Sequence, residues 1–392
     1  MKIAFCNVQE FNPSIGGIER ISVTLAEEFL KRNLEVVFIA SLKSKYSKAY
    51  TLPAKQFFLP DSVDYSENNS AYLTTLIRDE KIDILVNQDM HSPLYNRLIS
   101  EVKHSTGVKV VSVYHFCPEM RISSNRNNID CRFFSIKENV VWLLRYFCTC
   151  WPLNHITLHG HRRMFHQAYE MSDRLVLLSK RFFKDFKQIG KIKDTSKLVA
   201  INNMSSFKNV AISNQKKKQI VFVGRFTSQK NPYRVLYIWE KLANRLPDWN
   251  LVMVGSGDWY QRIVDMSAKL GLPRISFTGF TNPEPYFRDS YISLNTSNYE
   301  GWGLTIVESQ QYGCVPFAFD SYKAIYDIID DGVNGFIIPS FEIDTYADLI
   351  ESVAKSEKLQ ELSKNSMVKA NHFSPEIIVD QWLVLFNSII QK

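Results

Sequence analysis

No uninterrupted apolar run in this 392-residue chain approaches the ~18 to 20 residues that a membrane span requires. The strand-like run that opens at Ile3 is too short for a signal-peptide core. The expectation is a protein neither exported through a Sec signal nor integral to a membrane. Cysteine is scarce: six are scattered, and only Cys148 and Cys150 lie close. That pair is not C-x2-C and has no second pair after it, so no disulfide framework and no metal site is expected, although His155, His159 and His161 are near. His155, His159 and His166 are expected on a surface helix. The dinucleotide fingerprint G-x-G-x-x-G is missing, and so is a D-x-D pair to chelate a metal for a nucleotide diphosphate. A net charge of +7 is weak for a dedicated nucleic-acid binder, and suits acidic small molecules or an anionic membrane surface.

What is present describes a folded protein, 45% hydrophobic and 22% charged, long enough for two domains. Short apolar runs recur at 2–8, 35–40, 82–87, 109–114, 174–178 and 198–201, then at 219–223, 250–254, 275–278, 291–295, 315–319 and 335–338. Most are continuous rather than alternating, as for parallel strands covered on both faces. Helical patterns lie between them, for example at 17–32, 232–246, 259–270, 305–312 and 345–356. This order, βαβα twice over, predicts an α/β protein of two doubly wound, Rossmann-like domains. The polar stretch 204–218, ending in Lys216-Lys217-Lys218, reads as a solvated linker between a domain at 1–205 and one at 218–375.

One section departs from the alternation. Between 118 and 163, Phe133, Phe134, Trp142, Tyr146, Phe147 and Trp151 are interleaved with Arg121, Arg126, Arg132, Arg145, Arg162 and Arg163. An amphipathic surface lying on anionic lipid and ordinary helical packing inside the first domain both fit this composition.

The stretch from Tyr299 to Glu308 carries the most chemistry. Glu300 precedes a turn with Gly301 and Gly303, and Glu308 follows about a turn into a helix that begins near Leu304. Glycine lets backbone amides approach a ligand closely, and a helix start presents free N–H groups and positive dipole to phosphate. Amides for a diphosphate and carboxylates for hydroxyls are what a sugar nucleotide requires. Two glutamates at this spacing also fit a plain solvated helix; the glycines between them and the basic residues upstream favour the site.

Those residues are Arg225 and Lys230, which follow the run 219–223 directly after Gly224. In an open α/β sheet, ligands gather beyond the carboxyl ends of the strands, where a guanidinium fork and an ammonium can hold pyrophosphate. Gly16 and Gly17 open the first helix and mark a second close-approach turn. His115 ends the run 109–114 and is either a group reaching a substrate hydroxyl or a structural histidine. Gly255 in Gly255-Ser256-Gly257, and Phe280 with Thr281, supply further loops, the latter able to meet a base edge.

Taken together in this order, Gly16-Gly17, Gly224-Arg225 with Lys230, Val254-Gly255-Ser256-Gly257, Gly279-Phe280, the Glu300-to-Glu308 stretch and Gly332-Val333-Asn334-Gly335-Phe336 resemble the GT-B-fold retaining glycosyltransferases of family 4. The resemblance implies two Rossmann-like domains facing across a cleft, with a last helix, 376–392, crossing back to the acceptor-binding first domain. It implies that Arg225 and Lys230 bind the donor diphosphate, Glu308 the ribose, and Glu300 the donor sugar near its 3-hydroxyl. Gly303, Leu304 and Thr305 would offer amides, His115 would sit beside the sugar, Gly17 at the phosphate, and Phe280 and Thr281 beside the base. Two departures stand out: Asn231-Pro232 follows Lys230 where the family commonly has Lys-Gly, and Asn202-Asn203 replaces its Asn-Gly. Neither removes a charge.

The expected function is retaining transfer of a sugar from a nucleotide-diphosphate donor, UDP by prevalence, to a glycan or lipid-linked acceptor in bacterial surface polysaccharide synthesis (capsule, O-antigen or exopolysaccharide). The expected setting is the cytoplasm, with a peripheral contact at the inner membrane face, no cofactor and no metal. A nucleotide-sugar epimerase of the same architecture and a non-catalytic nucleotide-sugar-binding subunit are the alternatives.

Overall fold

The structure, a computed structural model, describes residues 1–44, 50–119, 151–205, 207 and 216–391, with backbone alone at 151–157. These residues divide into two compact units. One is built from Met1–Pro118, His155–Ser206 and Ser374–Lys392, the other chiefly from Phe207–Phe373.

In the first unit β1 (Lys2–Gln9), α1 (Gly17–Lys31), β2 (Glu35–Leu42), β3 (Gln56–Phe58), α2 (Glu67–Asp79), β4 (Ile84–Asn87) and α3 (Pro93–Thr106) come first. They are followed by β5 (Lys109–Tyr114), α4 (Trp151–Met171), β6 (Arg174–Leu177), α5 (Phe183–Gly190) and β7 (Leu198–Ala200). The strands form a parallel sheet in the order β3-β2-β1-β4-β5-β6-β7. β1 is buried from Ile3 to Val8, which explains its continuous apolar run. Phe5 stacks on Phe29 of α1 at 5.9 Å between ring centres.

The second unit repeats the alternation with β8 (Lys217–Val223), α6 (Pro232–Leu242), β9 (Asn250–Val254), α7 (Tyr260–Lys269), β10 (Ile275–Gly279) and α8 (Glu284–Asp289). Then come β11 (Ser290–Asn295), α9 (Leu304–Gln311), β12 (Val315–Phe319), α10 (Ile325–Ile328), β13 (Phe336–Ile338), α11 (Ile343–Ala354) and α12 (Lys358–Asn371). Its parallel sheet runs β10-β9-β8-β11-β12-β13. Successive β8 residues serve opposite faces: Ile220 and Phe222 join the core with Trp239 of α6 and Tyr346 of α11, while Val221 joins Phe287 and Tyr312. Proline at the first position of α6 fixes where that helix begins.

The last helix, α13 (Pro375–Ile390), belongs to the first unit. Ser374 caps it, its Phe386 meets Phe29 edge-on at 5.5 Å, and Arg32 donates to Asp380 at 2.6 Å.

The expectation of a solvated lysine linker is corrected. Lys217 and Lys218 belong to β8, where they pair with Asp289 at 2.7 Å and Asp248 at 2.5 Å. Lys216 donates to Ser290 O at 2.5 Å, and burial lowers its pKa. The edge strand β3 was not expected; three half-buried residues are too short to leave a pattern.

Candidate functional site

The order in which strands are added to the second sheet reverses between β8 and β11, and loops at the carboxyl ends of these two strands hold most of the expected donor residues. The loop after β8 lies directly on the loop after β9. Gly224 N donates to Val254 O at 3.0 Å, and Phe226 N to Ser256 O at 2.9 Å. Gly255, at φ +135°, could carry no Cβ, which would stand 2.0 Å from Gly224 O. Its absent side chain serves the packing of one loop on the other.

Arg225 is exposed, and among the described residues no carboxylate pairs with it. Lys230 is largely enclosed and forms an ion pair with Glu300. Ser297 Oγ donates to Glu300 Oε1 at 2.7 Å, and Gln229 Nε2 reaches Oε2 at 3.4 Å. The two loops are laced together around this pair. Thr296 Oγ1 donates to Lys230 O at 2.9 Å, Asn298 N to Gln229 O at 2.7 Å, and Asn298 Nδ2 to Ser228 O at 2.7 Å. Beneath them Arg234, fully buried on α6, donates to Asn298 Oδ1 at 2.6 Å and stacks 3.6 Å over Phe341. Asn231 takes the left-handed conformation at φ 44°. Asparagine is among the few residues that adopt it readily.

Gly303 caps α9 at φ 98°, and a Cβ there would stand 2.5 Å from Tyr322 Oη. The first amides of α9, from Leu304 and Thr305, have no acceptor within their own helix and face the loop side. Glu300 and Glu308 are both buried, one before the helix and the other within it. Phe280 and Thr281 follow β10; Phe280 is 73% exposed, free of any packing duty.

Gly16, Gly17 and His115 belong to the first unit, where the strand order reverses between the parallel neighbours β1 and β4. A Cβ on Gly16 would meet Glu19 Oε2 at 2.7 Å, so this helix start already has a carboxylate over it. Burial raises the pKa of Glu19, opposed by hydrogen bonds from its own backbone and from Asn7. Space around Gly17 is open. His115 Nε2 and Gln88 Oε1 share a hydrogen bond at 2.5 Å. Burial chiefly, and His91 in addition, lower the His115 pKa to about 4 against the pull of Asp89. The ring is therefore neutral at pH 7, a hydrogen-bonding rather than a charged group.

Of the basic, aromatic section, residues 120–150 lie outside the described residues, as do the side chains of Trp151 and His155. Arg162, Arg163, His159 and His166 are exposed on α4, whereas His161 is buried against Phe165 at 5.7 Å. Among the described residues no helix is long and apolar enough to cross a membrane. Sequence reasoning missed Arg234, Ser297, Asn298 and Tyr322. A cation on the apolar face of α6 was the one available signal.

A model described as Glycosyltransferase Family 4 matches residues 15–199, and one described as Glycosyl transferases group 1 matches 203–368. The chain is 24% identical over 236 residues to a poly(glycerol-phosphate) alpha-glucosyltransferase of Bacillus subtilis, covering 59% of this chain and 35% of that protein. It is 23% identical over 230 residues to an amylovoran biosynthesis glycosyltransferase of Erwinia amylovora, covering 56% and 64%. The matches thus span less than two thirds of either relative. In fold it is similar to Anabaena HepE, crystallised with UDP and glucose, at a TM-score of 0.74 and 16% identity over 99% of this chain and 100% of that one. With two family models in tandem along it and two Rossmann-like sheets of matching fold, the chain belongs to the GT-B glycosyltransferases of the family 4 type.

Proposed function

We propose that the protein transfers a sugar, with retention at the anomeric carbon, from a nucleotide-diphosphate donor, a UDP-sugar, to a glycan or lipid-linked acceptor in bacterial surface polysaccharide synthesis. One observation carries this reading: Arg225, Lys230, Glu300 and the start of α9 gather at one switch point of the second sheet. The bond from anomeric carbon to phosphate oxygen breaks as the acceptor oxygen bonds to the same face. The acceptor proton passes to the departing phosphate oxygen, so no enzyme nucleophile is required. Arg225, Lys230 and the α9 amides offset the charge that gathers on the diphosphate, at ~3 to 4 kcal/mol for each group, or ~10²- to 10³-fold in rate. With that counter-charge built from the chain, the reading is of metal-independent transfer. The UDP and glucose of the HepE structure support the donor class, and the polymer names of the two relatives support the acceptor class.

The test is to incubate the full chain with a panel of nucleotide sugars, with and without EDTA, and follow nucleotide release and product anomer. Expected is acceptor-dependent, EDTA-insensitive release from a UDP-sugar with retained configuration. Unchanged kcat/KM in Arg225→Ala or Lys230→Ala sinks the reading, and epimerised donor without transfer replaces it. Flotation with anionic vesicles at low and high salt tests the peripheral membrane contact; no salt-sensitive binding removes it.

A further inference from the structure

Gln88 and His115 follow adjacent strands of the first unit. Gln88 comes directly after β4, its N–H donating to Cys6 O of β1 at 2.8 Å, and His115 comes directly after β5. The backbone thus fixes both at the carboxyl edge of one parallel sheet, beside the place where its strand order reverses. Their side chains meet at 2.5 Å between Gln88 Oε1 and His115 Nε2. Asp89, next in sequence, pairs with His91 Nδ1 at 2.8 Å, and the His115 ring is left to an amide rather than a carboxylate.

With its pKa lowered to about 4, chiefly by burial, the ring carries one N–H and one lone pair at pH 7. An amide oxygen only accepts, so the bond to Oε1 puts the proton on Nε2 and the lone pair on Nδ1. Nδ1 has no partner among the described residues. Both side chains line one cavity of the first unit, whose other walls are apolar save Asn202 and Asn203. A lone pair there accepts from a hydroxyl and has nothing to offer a phosphate oxygen. We propose that Gln88 is a positioning residue whose side-chain oxygen holds His115 as the Nε2–H tautomer, so that Nδ1 accepts a hydrogen bond from a sugar hydroxyl. This rests on the sugar-transfer reading above. It makes the ring a reader of hydroxyls, in keeping with a reaction in which the departing phosphate takes the acceptor proton.

Gln88→Met keeps the volume and removes the acceptor. It also removes Gln88 Nε2, which is buried without a partner among the described residues, so the melting temperature should hold within a few degrees. The nitrogen NMR signals of His115, assigned by their loss in His115→Phe, read the tautomer without turnover. Expected are Nε2–H in the wild type and a shift towards Nδ1–H in Gln88→Met. Steady-state rates are measured for Gln88→Met in the wild-type and His115→Phe backgrounds, with donor and acceptor varied separately. Expected is a kcat/KM lower by ~5- to 30-fold in the first background, as for one misplaced neutral hydrogen bond, and no further loss in the second. A KM raised for the donor alone gives the hydroxyl to the donor sugar, and one raised for the acceptor alone gives it to the acceptor. An Nδ1–H ring in the wild type, signals unmoved by Gln88→Met, an unchanged kcat/KM, or equal losses in both backgrounds overturns the proposal. A lowered melting temperature with unmoved signals makes Gln88 structural and overturns it too. If Arg225→Ala loses turnover while Gln88→Met does not, this inference alone falls. If the wild type releases no nucleotide, the sugar-transfer reading falls and the hydroxyl with it, while the tautomer is still judged by the spectrum.

Discussion

Lys230 and Glu300, 70 residues apart in sequence, form an ion pair with side chains only 14% and 8% exposed, at the ends of adjacent strands β8 and β11. Arg225, five residues before Lys230, is exposed and outside that pair. The two cations carry the same charge and stand in opposite relations to the fold.

Lys230→Ala and Arg225→Ala should therefore differ. Both lose ~10²- to 10³-fold in kcat/KM. Lys230→Ala also strands a buried carboxylate, and loses ~3 to 5 kcal/mol of stability. Arg225→Ala, which breaks no such pair, should melt within a degree or two of wild type. Thermal melts and steady-state rates on both variants check this.

Phe280 exposes 73% of its surface just past β10. Phe280→Ala should leave stability unchanged while weakening nucleotide binding, since stacking of an aromatic on a base is worth ~1 to 3 kcal/mol. Calorimetric titration with UDP would read a rise in Kd of about five- to a hundredfold. An unaltered Kd removes Phe280 from the base site.

Asn231 holds φ 44° between Lys230 and Pro232. Asn231→Gly should be nearly neutral, and Asn231→Ala should lose ~1 to 2 kcal/mol, the penalty of the left-handed region for an ordinary L-residue. Urea denaturation of the two variants separates these outcomes.

His115, with its pKa lowered to about 4, binds a proton less readily folded than unfolded, where the usual value is 6.5. The unfolded chain then takes up more protons between these values, so this contribution to stability is whole above pH 6.5 and fades as pH falls towards 4. His115→Gln should flatten the fall in melting temperature across that window. An unaltered profile would mean that the ring titrates normally.

The sheets were legible from the chain because parallel strands covered on both faces leave unbroken apolar runs, as at 109–114 and 250–254. β3 was not, for three half-buried edge residues carry no such run. Site residues were legible where the chemistry is local: Arg225 and Lys230 follow one strand, and Glu300 and Gly303 follow another. Arg234 against Asn298 and Tyr322 against Gly303 were not, because each pair meets only through folding. Gly255 was legible as part of a loop beyond a strand, but its close approach to the backbone of Gly224 appears only in the fold.

The position of α13 has a consequence for biosynthesis. Its Phe386 and Asp380 complete the packing of α1 through Phe29 and Arg32, yet the ribosome makes them only after the whole second unit. The second unit has all its strands available earlier, so it can mature while its predecessor is still waiting for its final helix. Stalled or prematurely terminated chains would thus carry a finished second unit and a first unit with an uncovered apolar face, a natural target for chaperones.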